Sequence, residues 1–372
     1  MKTIRTVLIG FGAMGQFYAK LIFSGAAPGM TLVGICCRNA AGQAVIGAEF
    51  PGVKCYSSTA EMAAAADQFD AVIIVTPHTS HIDIGLQMAA LGKHIFLDKP
   101  AGLEADRVAQ LQNACKEKSL SFAMMFNNRQ LPIFRKAKEM LEEGHLGTLH
   151  RAVWICNNWY RSPAYHRSAA WRSSWQTEGG GMLVNQIPHN LDLWNWFFGL
   201  PQKVYASLEF GRYNDFTVDD AADVQFFYDS GFHGTLISAT GEAPGINRLE
   251  IWGSKGRLTL ENNKNLTFYK NAQSTEEFGR TNQEKFATIP YEAKTIDLDP
   301  PCNPYPVMFQ NFAEHLLQGA PLVATGEDGL RQVQLANAIY VSGWESCKVS
   351  LPVDPARYTA GLAVRQQQEA LR

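Results

Sequence analysis

The chain has 372 residues, of which 46% are hydrophobic and 18% charged. This composition is typical of a folded globular protein and not of a disordered one. Its length exceeds what one ordinary hydrophobic core organises, so two domains are expected. The 33 basic and 35 acidic residues nearly balance, which excludes the strong positive field of a protein that binds nucleic acid or an anionic membrane.

Neither the cysteines nor the apolar runs suggest an exported or membrane-bound protein. The seven cysteines are scattered without CxxC spacing, which is typical of reduced thiols and argues against a disulfide framework or a zinc site. The first residues lead directly into an apolar strand without a secretory leader, and no run reaches the length of a membrane span. The expected localisation is therefore cytoplasmic.

The first third of the chain alternates short apolar runs with helical patterns. The predicted strands are residues 6–9, 32–36, 71–75, 94–97 and 121–126, and the predicted helices are 17–23, 61–66, 82–91 and 105–118. Continuous apolar strands separated by helices predict a parallel sheet covered on both faces.

After Pro132 the pattern changes to a helix over 133–143 followed by longer, alternating segments. The predicted strands here are 150–157, 203–210, 223–228, 233–239, 248–252 and 257–261, with hairpin turns at 229–231 and 254–256 and helices over 182–198, 307–318 and 330–345. Such alternation predicts an antiparallel sheet with one more exposed face. Residues 271–300 are polar and are expected to be mostly loop. The domain boundary is placed near Phe126, which gives domains 1–126 and 127–372.

A glycine motif follows the first predicted strand. Gly10-Phe11-Gly12-Ala13-Met14-Gly15 matches G-x-G-x-x-G between a strand and a helix. In this fingerprint the first glycine permits a tight turn, the second lets the backbone approach a diphosphate, and the third allows close packing of helix on strand. Because strand, helix and next strand follow in the required order, the motif predicts dinucleotide binding.

The second strand lacks the acid that would bind the adenosine ribose, since it continues as Cys37-Arg38. A missing carboxylate removes repulsion against a 2′-phosphate, and Arg38 could pair with that phosphate, which favours NADP. Alternatively, Arg38 stacks on the adenine, which suits NAD and NADP equally.

Other polar residues stand at predicted strand ends. Thr76-Pro77 is expected to line the cofactor groove. Asn127 could hydrogen-bond the nicotinamide or the substrate, or simply form a turn. The spacing of His78, His81 and Asp83 fits no common metal site, so these residues are predicted to open a helix and no metal is expected.

Asp98-Lys99-Pro100 ends the apolar run 94–97. A lysine at the carboxyl end of a parallel strand faces the crevice where such sheets bind ligands. Pro100 favours an extended Lys99, and lysine can act as a proton acceptor when it is partly buried. The simpler interpretation is a solvated surface lysine.

Three glycines, 179–181, open the predicted helix over 182–198. Asn185 and His189 are four residues apart and would share a face of a continuous helix, although Pro188 kinks or restarts it. Asp192 could orient the His189 ring or pair elsewhere. If His189 is not part of a functional site, the alternative interpretation is a histidine of the protein core.

An aromatic and hydrogen-bonding stretch precedes this helix. It contains Trp159, Tyr160, Arg161, Tyr165 and Trp171-Arg172. Aromatic faces with amide and guanidinium donors suit a polyhydroxylated ring, and they would equally suit an oligomer interface.

Together these motifs resemble the Gfo/Idh/MocA family, which includes glucose–fructose oxidoreductase and inositol dehydrogenase. The resemblance covers nearly the whole chain and rests on residues 10–15, on Thr76-Pro77 with His81, on Asp98-Lys99-Pro100 where the family usually has Glu-Lys-Pro, and on the helix that residues 179–181 open. It implies an α/β fold with an N-terminal Rossmann domain and a C-terminal α+β domain. The large, open, mostly antiparallel sheet of the second domain often mediates oligomerisation, so a homo-oligomer, dimer or tetramer, is expected.

The resemblance also implies roles for single residues. Lys99 matches the family lysine at the reacting hydroxyl, and His189 matches the helix histidine proposed as acid and base. Asn185 falls where inositol dehydrogenase-like members have Asp; some members that act at the 3-position of sugars resemble this Asn-containing pattern. Trp171-Arg172 resembles a pair that touches the cofactor in several relatives.

The predicted site thus has three groups of residues. The catalytic residues are Lys99 and His189; the substrate-binding residues are Asn185, Trp159, Tyr160, Arg161 and Tyr165; the residues that bind NAD or NADP are Gly10, Phe11, Gly12, Ala13, Met14, Gly15, Cys37, Arg38, Thr76, Pro77, His81, Asp98, Asn127, Trp171 and Arg172.

The resemblance implies reversible oxidation of a sugar, glycoside or cyclitol hydroxyl by NAD(P). One alternative is transhydrogenation or transient glycoside 3-oxidation with a tightly held, recycled cofactor. Another is a non-enzymatic dinucleotide sensor, which would need neither a strand-end lysine nor a helix histidine.

Overall fold

The computed structural model describes residues 3–371. Contacts divide the chain into two compact units. Residues 3–128, 177–179 and 303–334 form the first unit, and residues 129–176, 180–302 and 335–371 form the second. This grouping differs from the predicted ranges 1–126 and 127–372, because a late segment of the chain packs with the first unit. The outer limits of those ranges, Met1 and Arg372, lie with Lys2 outside the described residues.

The strands are β1 (Ile4–Ile9), β2 (Met30–Cys36), β3 (Lys54–Tyr56), β4 (Ala71–Ile74), β5 (His94–Leu97), β6 (Phe122–Met124), β7 (Leu149–Cys156), β8 (Lys203–Phe210), β9 (Asp219–Phe227), β10 (His233–Ala239), β11 (Asn247–Gly253), β12 (Gly256–Glu261), β13 (Asn265–Asn271), β14 (Tyr291–Thr295) and β15 (Val349–Ser350).

The helices are α1 (Ala13–Phe23), α2 (Ala40–Glu49), α3 (Thr59–Ala63), α4 (His81–Ala90), α5 (Ala105–Glu117), α6 (Pro132–Glu142), α7 (Pro163–His166), α8 (Met182–Asn185), α9 (Pro188–Phe198), α10 (Thr275–Thr281), α11 (Pro304–Gln318), α12 (Gly326–Glu345) and α13 (Pro355–Ala370).

The first unit contains a parallel sheet of six strands in the order β3-β2-β1-β4-β5-β6. The predicted parallel sheet is therefore confirmed; α2 and β3 were not predicted. Buried apolar side chains from β1, β4 and β5 form its centre. The chain order reverses between β1 and β4, and this is the point where open α/β sheets bind ligands beyond the strand ends.

The late segment 303–334 completes the core of this unit. Phe309 and Phe312 of α11 pack on Phe96, with ring centroids 5.1 and 5.3 Å apart. A bridge between Ala123 and Thr325 adds a backbone contact at the edge of the sheet. The helix at 304–318 is thus part of the first core although it lies far along the chain.

The second unit contains a sheet of nine strands in the order β14-β13-β12-β11-β7-β10-β9-β8-β15. Neighbouring strands are antiparallel except β7 and β10, which are parallel. The predicted hairpins β9–β10 and β11–β12 are confirmed, and so is the mostly antiparallel sheet.

Two predictions for this unit need refinement. Residues 271–300 are mostly loop, as predicted, but they also contain α10 and β14; all five side chains of β14 are exposed, so no buried face distinguished it as a strand. The helix predicted over 182–198 is two helices, α8 and α9, because Pro188 has no backbone N–H and starts a new one.

Over residues 3–371, no helix is long and apolar enough to cross a membrane. Within the same range, no group of three or more His, Cys, Asp or Glu side chains is arranged to hold a metal ion.

Candidate active site

The carboxyl ends of four parallel strands form one row in the first unit. Register pairs Ile9 with Ile74, Ile74 with Leu97, and Leu97 with Met124. The residues that follow these strands therefore emerge at one edge of the sheet. They are the glycine turn, Thr76-Pro77, Asp98-Lys99-Pro100 and Asn127, so the structure brings together most of the cofactor residues predicted in this unit.

The glycine turn has the geometry that a dinucleotide requires. Gly10 has φ +100°, and a Cβ there would lie 2.9 Å from the Val75 carbonyl oxygen. A Cβ on Gly15 would lie 2.1 Å from the Gly10 carbonyl oxygen, whereas Gly12, the N-cap of α1, has open space beside it. Ala13 and Met14 are exposed in the first turn of α1. The Phe11 ring, in contrast, packs edge-on against Phe50 and belongs to the core.

Beyond β2, the two residues predicted to meet the adenosine differ in exposure. Cys37 is buried, and its thiol faces the Asn39 carbonyl oxygen at 3.7 Å. Arg38 is exposed. Of this pair, only Arg38 has a side chain that can reach a ligand in solvent.

His81 joins two of the strand-end segments. Its ring is fully buried; Nδ1 lies 2.9 Å from the Pro100 carbonyl oxygen and Nε2 2.8 Å from the Thr76 carbonyl oxygen. Desolvation by burial lowers the pKa of His81, although the two carbonyl oxygens and the Asp98 carboxylate oppose this shift. The structure therefore gives His81 a different role from the predicted cofactor contact: it holds the Lys99 segment against Thr76.

The Asp98 side chain, at the same edge of the sheet, accepts two hydrogen bonds. Its carboxylate accepts hydrogen bonds from the Lys99 backbone N–H at 2.9 Å and from the Tyr18 hydroxyl at 3.3 Å. Desolvation raises the pKa of Asp98, and the positive charge of Lys99 opposes that rise. The Lys99 side chain is half-buried. Asp98 thus fixes the backbone from which the Lys99 side chain projects.

Asn127 is buried just beyond β6, and its side chain lies near the Tyr305 hydroxyl of α11. Its Oδ1 is also buried but has no hydrogen-bond donor among residues 3–371. A buried acceptor without a donor is uncommon in proteins. The carboxamide N–H of a nicotinamide would supply such a donor, so the strand-end residues fit this cofactor.

In the second unit, α8 and α9 present a short polar strip. From Gly181 to Asn190, the half-buried residues are Asn185, Gln186 and His189, and the remaining ones are buried. His189 is the second residue of α9, behind Pro188. The strip keeps Asn185 and His189 accessible although they do not lie on one continuous helix.

The glycine turn before α8 is held by a buried carboxylate that sequence reasoning missed. Asp219, the first residue of β9, accepts hydrogen bonds from the Gly181 and Leu183 N–H groups at 2.8 and 2.7 Å, and from the Tyr340 hydroxyl at 2.6 Å. Desolvation raises the pKa of Asp219, and these donors oppose the rise. A Cβ on Gly180 would lie 2.1 Å from the Tyr340 hydroxyl oxygen, which explains why glycine occupies this position.

Asp192 forms a buried ion pair with Arg129. Both of its oxygens accept hydrogen bonds from Arg129, at 2.9 Å from Nε and 2.6 Å from the terminal nitrogen. The two side chains are only 4% and 1% exposed. This bidentate pair joins α9 to the residue that begins the second unit, and Arg129 had not been predicted.

The predicted aromatic stretch forms a compact group around Tyr165. The guanidinium carbons of Arg161 and Arg172 lie 4.8 and 4.5 Å from the Tyr165 ring centroid. The Tyr165 hydroxyl accepts hydrogen bonds from Arg172 at 2.7 Å and from Gln186 at 3.3 Å. Gln186 connects this group to Asn185.

Other members of the stretch are placed less closely. Arg172 also lies over the Trp171 ring, at 4.6 Å from its centroid. Trp159 is half-buried, whereas Tyr160 is 56% exposed, and no ring contact involves it within residues 3–371. The structure therefore groups Arg161, Tyr165 and Arg172 but leaves Tyr160 at the surface.

The last turn of α13 holds the segment that follows Trp171-Arg172. One Glu369 oxygen accepts from the Ser174 hydroxyl at 2.9 Å and the Gln176 N–H at 3.1 Å. The other accepts from the Trp175 N–H and the Thr217 hydroxyl, both at 3.1 Å. No short-range signal in the sequence pointed to Glu369, since it lies almost 200 residues away from this segment.

Comparison with known proteins agrees with these two units. Residues 4–126 match the family profile described as "Oxidoreductase family, NAD-binding Rossmann fold", and residues 134–259 match the "GFO/IDH/MocA C-terminal domain". Inositol 2-dehydrogenase of Rhizobium meliloti (strain 1021) is 25% identical over 360 residues, which cover 94% of this chain and 99% of that protein.

Solved structures share the fold. The WlbA dehydrogenase from Bordetella pertussis, in complex with NADH and UDP-GlcNAcA, has a TM-score of 0.79 at 22% identity and covers 95% of this chain and 100% of its own. Levoglucosan dehydrogenase in complex with NADH has a TM-score of 0.80 at 19% identity, with the same coverage. The chain belongs to the GFO/IDH/MocA family of oxidoreductases, and its first unit is an NAD-binding Rossmann fold.

Proposed function

We propose that this oxidoreductase transfers a hydride between NAD(P) and a ring CH–OH group of a sugar, glycoside or cyclitol. The observation that carries the proposal is the single row of strand ends, where the glycine turn and Asp98-Lys99-Pro100 emerge at the same edge of the parallel sheet. A basic side chain beside a nicotinamide site suits proton handling at a hydroxyl. The names of the family relatives, inositol 2-dehydrogenase and levoglucosan dehydrogenase, support this substrate class.

When bound, the nicotinamide cofactor supplies the hydride acceptor. The reacting CH–OH group loses the hydrogen on its carbon as a hydride and the hydrogen on its oxygen as a proton. The product is a ketone. We assign the proton to the His189 ring, the second residue of α9. Lys99 donates a hydrogen bond to the oxygen that becomes the carbonyl. In reduction the same two groups polarise the ketone and return the proton.

Asn185 is assigned to orientation of the substrate. An amide can donate to one hydroxyl and accept from another, but it neither takes a proton nor places a negative charge beside His189. His189 therefore has to accept the proton without the neighbouring carboxylate of inositol dehydrogenase-like relatives. The homo-oligomer expected from the sequence stays a prediction.

The test is a screen of sugars, cyclitols and glycosides with NAD and NADP in parallel, followed by NMR identification of the product. We expect one structural class to yield a ring ketone together with stoichiometric reduced cofactor. Turnover without net reduced cofactor, with nicotinamide absorbance retained through purification, would instead indicate the recycled-cofactor alternative. Binding of NAD(P)H without turnover of any polyol would contradict the proposal.

A further inference from the structure

The group around Tyr165 contains more positive charge than its surroundings neutralise. Arg161 and Arg172 both lie against the Tyr165 ring. Among residues 3–371, no Asp or Glu forms an ion pair with either guanidinium, whereas the exposed Arg212 pairs with Glu209. Arginines in half-buried positions are usually paired, because an uncompensated charge away from water is costly.

Hydrogen-bond donors in the same group also lack acceptors. The Nε atoms of Arg161 and Arg172 are buried, and neither has a hydrogen-bond partner within the described part of the chain. The indole N–H of Trp159 is also buried and has no hydrogen-bond partner within the described residues. Buried N–H groups are nearly always paired in folded proteins. Several such donors in one short segment indicate a ligand that carries acceptor oxygens.

The electrostatic surroundings of His166 agree with this. Desolvation lowers the pKa of His166, and the charges of Arg172 and Arg161 lower it further. Both arginines therefore act on the same small region, and no acid among the described residues offsets them there.

The backbone holds this group in a defined position. The Arg161 N–H donates to the Thr240 carbonyl oxygen at 2.8 Å, beyond the end of β10. Asn157, four residues earlier, accepts from the Ile246 N–H at 2.7 Å. Through Gln186, the Tyr165 hydroxyl is linked to the residue next to Asn185. The positive group is thus attached to the polar strip of α8 and α9.

We propose that Arg161, Tyr165 and Arg172 form an anion site that binds a carboxylate or phosphate group carried by the substrate, and this role replaces the cofactor contact that the family resemblance implies for Arg172. This inference rests on the proposed function and narrows its substrate class to acidic sugars or cyclitols, such as uronates or phosphate esters. Guanidinium groups are suited to this task because their planar N–H donors match the oxygens of carboxylate and phosphate.

A binding experiment tests the site without any turnover. Inorganic phosphate is titrated into the NADH-saturated protein by calorimetry, for the wild type, Arg161→Met, Arg172→Met and the control Arg167→Met. Arg167 is exposed at the end of α7. We expect saturable binding to the wild type and the control, and a loss of about tenfold or more in affinity for the other two variants. Equal phosphate affinity in all four proteins would overturn the proposal.

The cofactor is the other source of phosphate, and the affinity for NADH distinguishes it. We expect Arg161→Met and Arg172→Met to keep the NADH dissociation constant within about twofold, because the anion belongs to the substrate. A rise of about tenfold in that constant, without phosphate binding to the NADH-saturated wild type, would assign these arginines to the cofactor diphosphate and overturn the proposal.

Matched substrates then test the class. D-glucuronate against D-glucose, D-galacturonate against D-galactose, and myo-inositol 1-phosphate against myo-inositol are compared by kcat/KM. We expect the acidic member to be preferred by about tenfold or more, and Arg161→Met to remove the preference. Equal use of the neutral members by the wild type would overturn the inference while leaving the proposed dehydrogenase in place. If the protein turns over none of these substrates, that result counts against the proposed function. The phosphate titration still decides whether the anion site exists.

Discussion

The strand-end residues of the first unit and the helix residues of the second unit are held by different means. In the first unit, Asp98 and Lys99 follow a buried strand, and His81 holds them through two backbone carbonyl oxygens of neighbouring turns. In the second unit, the backbone before Asn185 is held by Asp219, a carboxylate 34 residues or more along the chain from α8. Parallel strands position the first group, and buried side chains distant in sequence position the second.

This difference follows from the backbone. Strands of a parallel sheet end at one edge, so whatever follows them is brought together by the sheet itself. A short helix such as α8 leaves its first N–H groups without acceptors. In α8, Gly181 provides no side-chain cap, so the acceptor has to come from another element. The second unit therefore depends on side-chain contacts that mutation can remove one at a time.

Removal of the proposed proton-handling groups should have the largest effect. We expect Lys99→Ala and His189→Ala each to lower kcat by about 10²–10⁴-fold, with the dissociation constant of NADH nearly unchanged. Steady-state kinetics and NADH fluorescence titration would measure the two quantities. Lys99→Arg retains the charge but cannot release its proton, so its activity separates hydrogen bonding from proton transfer. Wild-type turnover in Lys99→Ala would refute its assignment.

The Asp219 contacts should dominate the stability of the second group. Asp219→Asn is isosteric, but its amide N–H₂ would face hydrogen-bond donors, so we expect a loss of about 2–3 kcal/mol in the free energy of unfolding. Tyr340→Phe removes one donor and should cost about 1 kcal/mol. Denaturant unfolding would measure both losses. Asp215→Asn, at an exposed position in the same segment, is the control. If Asp219→Asn unfolds like this control, the carboxylate does not hold the turn before α8.

Glu369 should affect substrate binding more than stability. Glu369→Ala frees residues 174–176, which follow Trp171-Arg172, and we expect KM for the polyol to rise about five- to twentyfold with a smaller change in kcat. Glu369→Gln keeps one acceptor oxygen and should show an intermediate KM. Gln368→Ala, at an exposed position of the same helix, should behave like the wild type. Equal changes of KM in all three variants would assign the effect to the helix as a whole.

Substitution of Arg38 should have the smallest effect. It tests how the protein selects between NAD and NADP. If the exposed guanidinium pairs with a 2′-phosphate, Arg38→Ala should raise KM for NADP about five- to tenfold and change KM for NAD by less than about twofold. Parallel titrations with the two cofactors measure the ratio. Equal rises would favour adenine stacking, the alternative that the sequence leaves open.

Much of the first unit could be predicted from the sequence because its signals are local. The apolar runs of β1, β4 and β5, the glycine motif and Asp98-Lys99-Pro100 are each contiguous. A parallel sheet converts their order along the chain into a row of strand ends. The burial of His81 between two carbonyl oxygens could not be predicted, since both acceptors belong to the backbone of other turns.

For the second unit, the sequence by itself determined the hairpins, the antiparallel alternation and the residue types around α8 and α9. Tertiary structure decided which carboxylates hold them. Asp192 pairs with Arg129, Asp219 binds the turn before α8, and Glu369 binds the segment after Arg172. The physical reason is that a buried carboxylate can satisfy any nearby donors, and short-range sequence patterns do not record which donors folding brings to it. Tertiary structure likewise placed Arg161 and Arg172 against one tyrosine ring, and the proposed anion site depends on that contact.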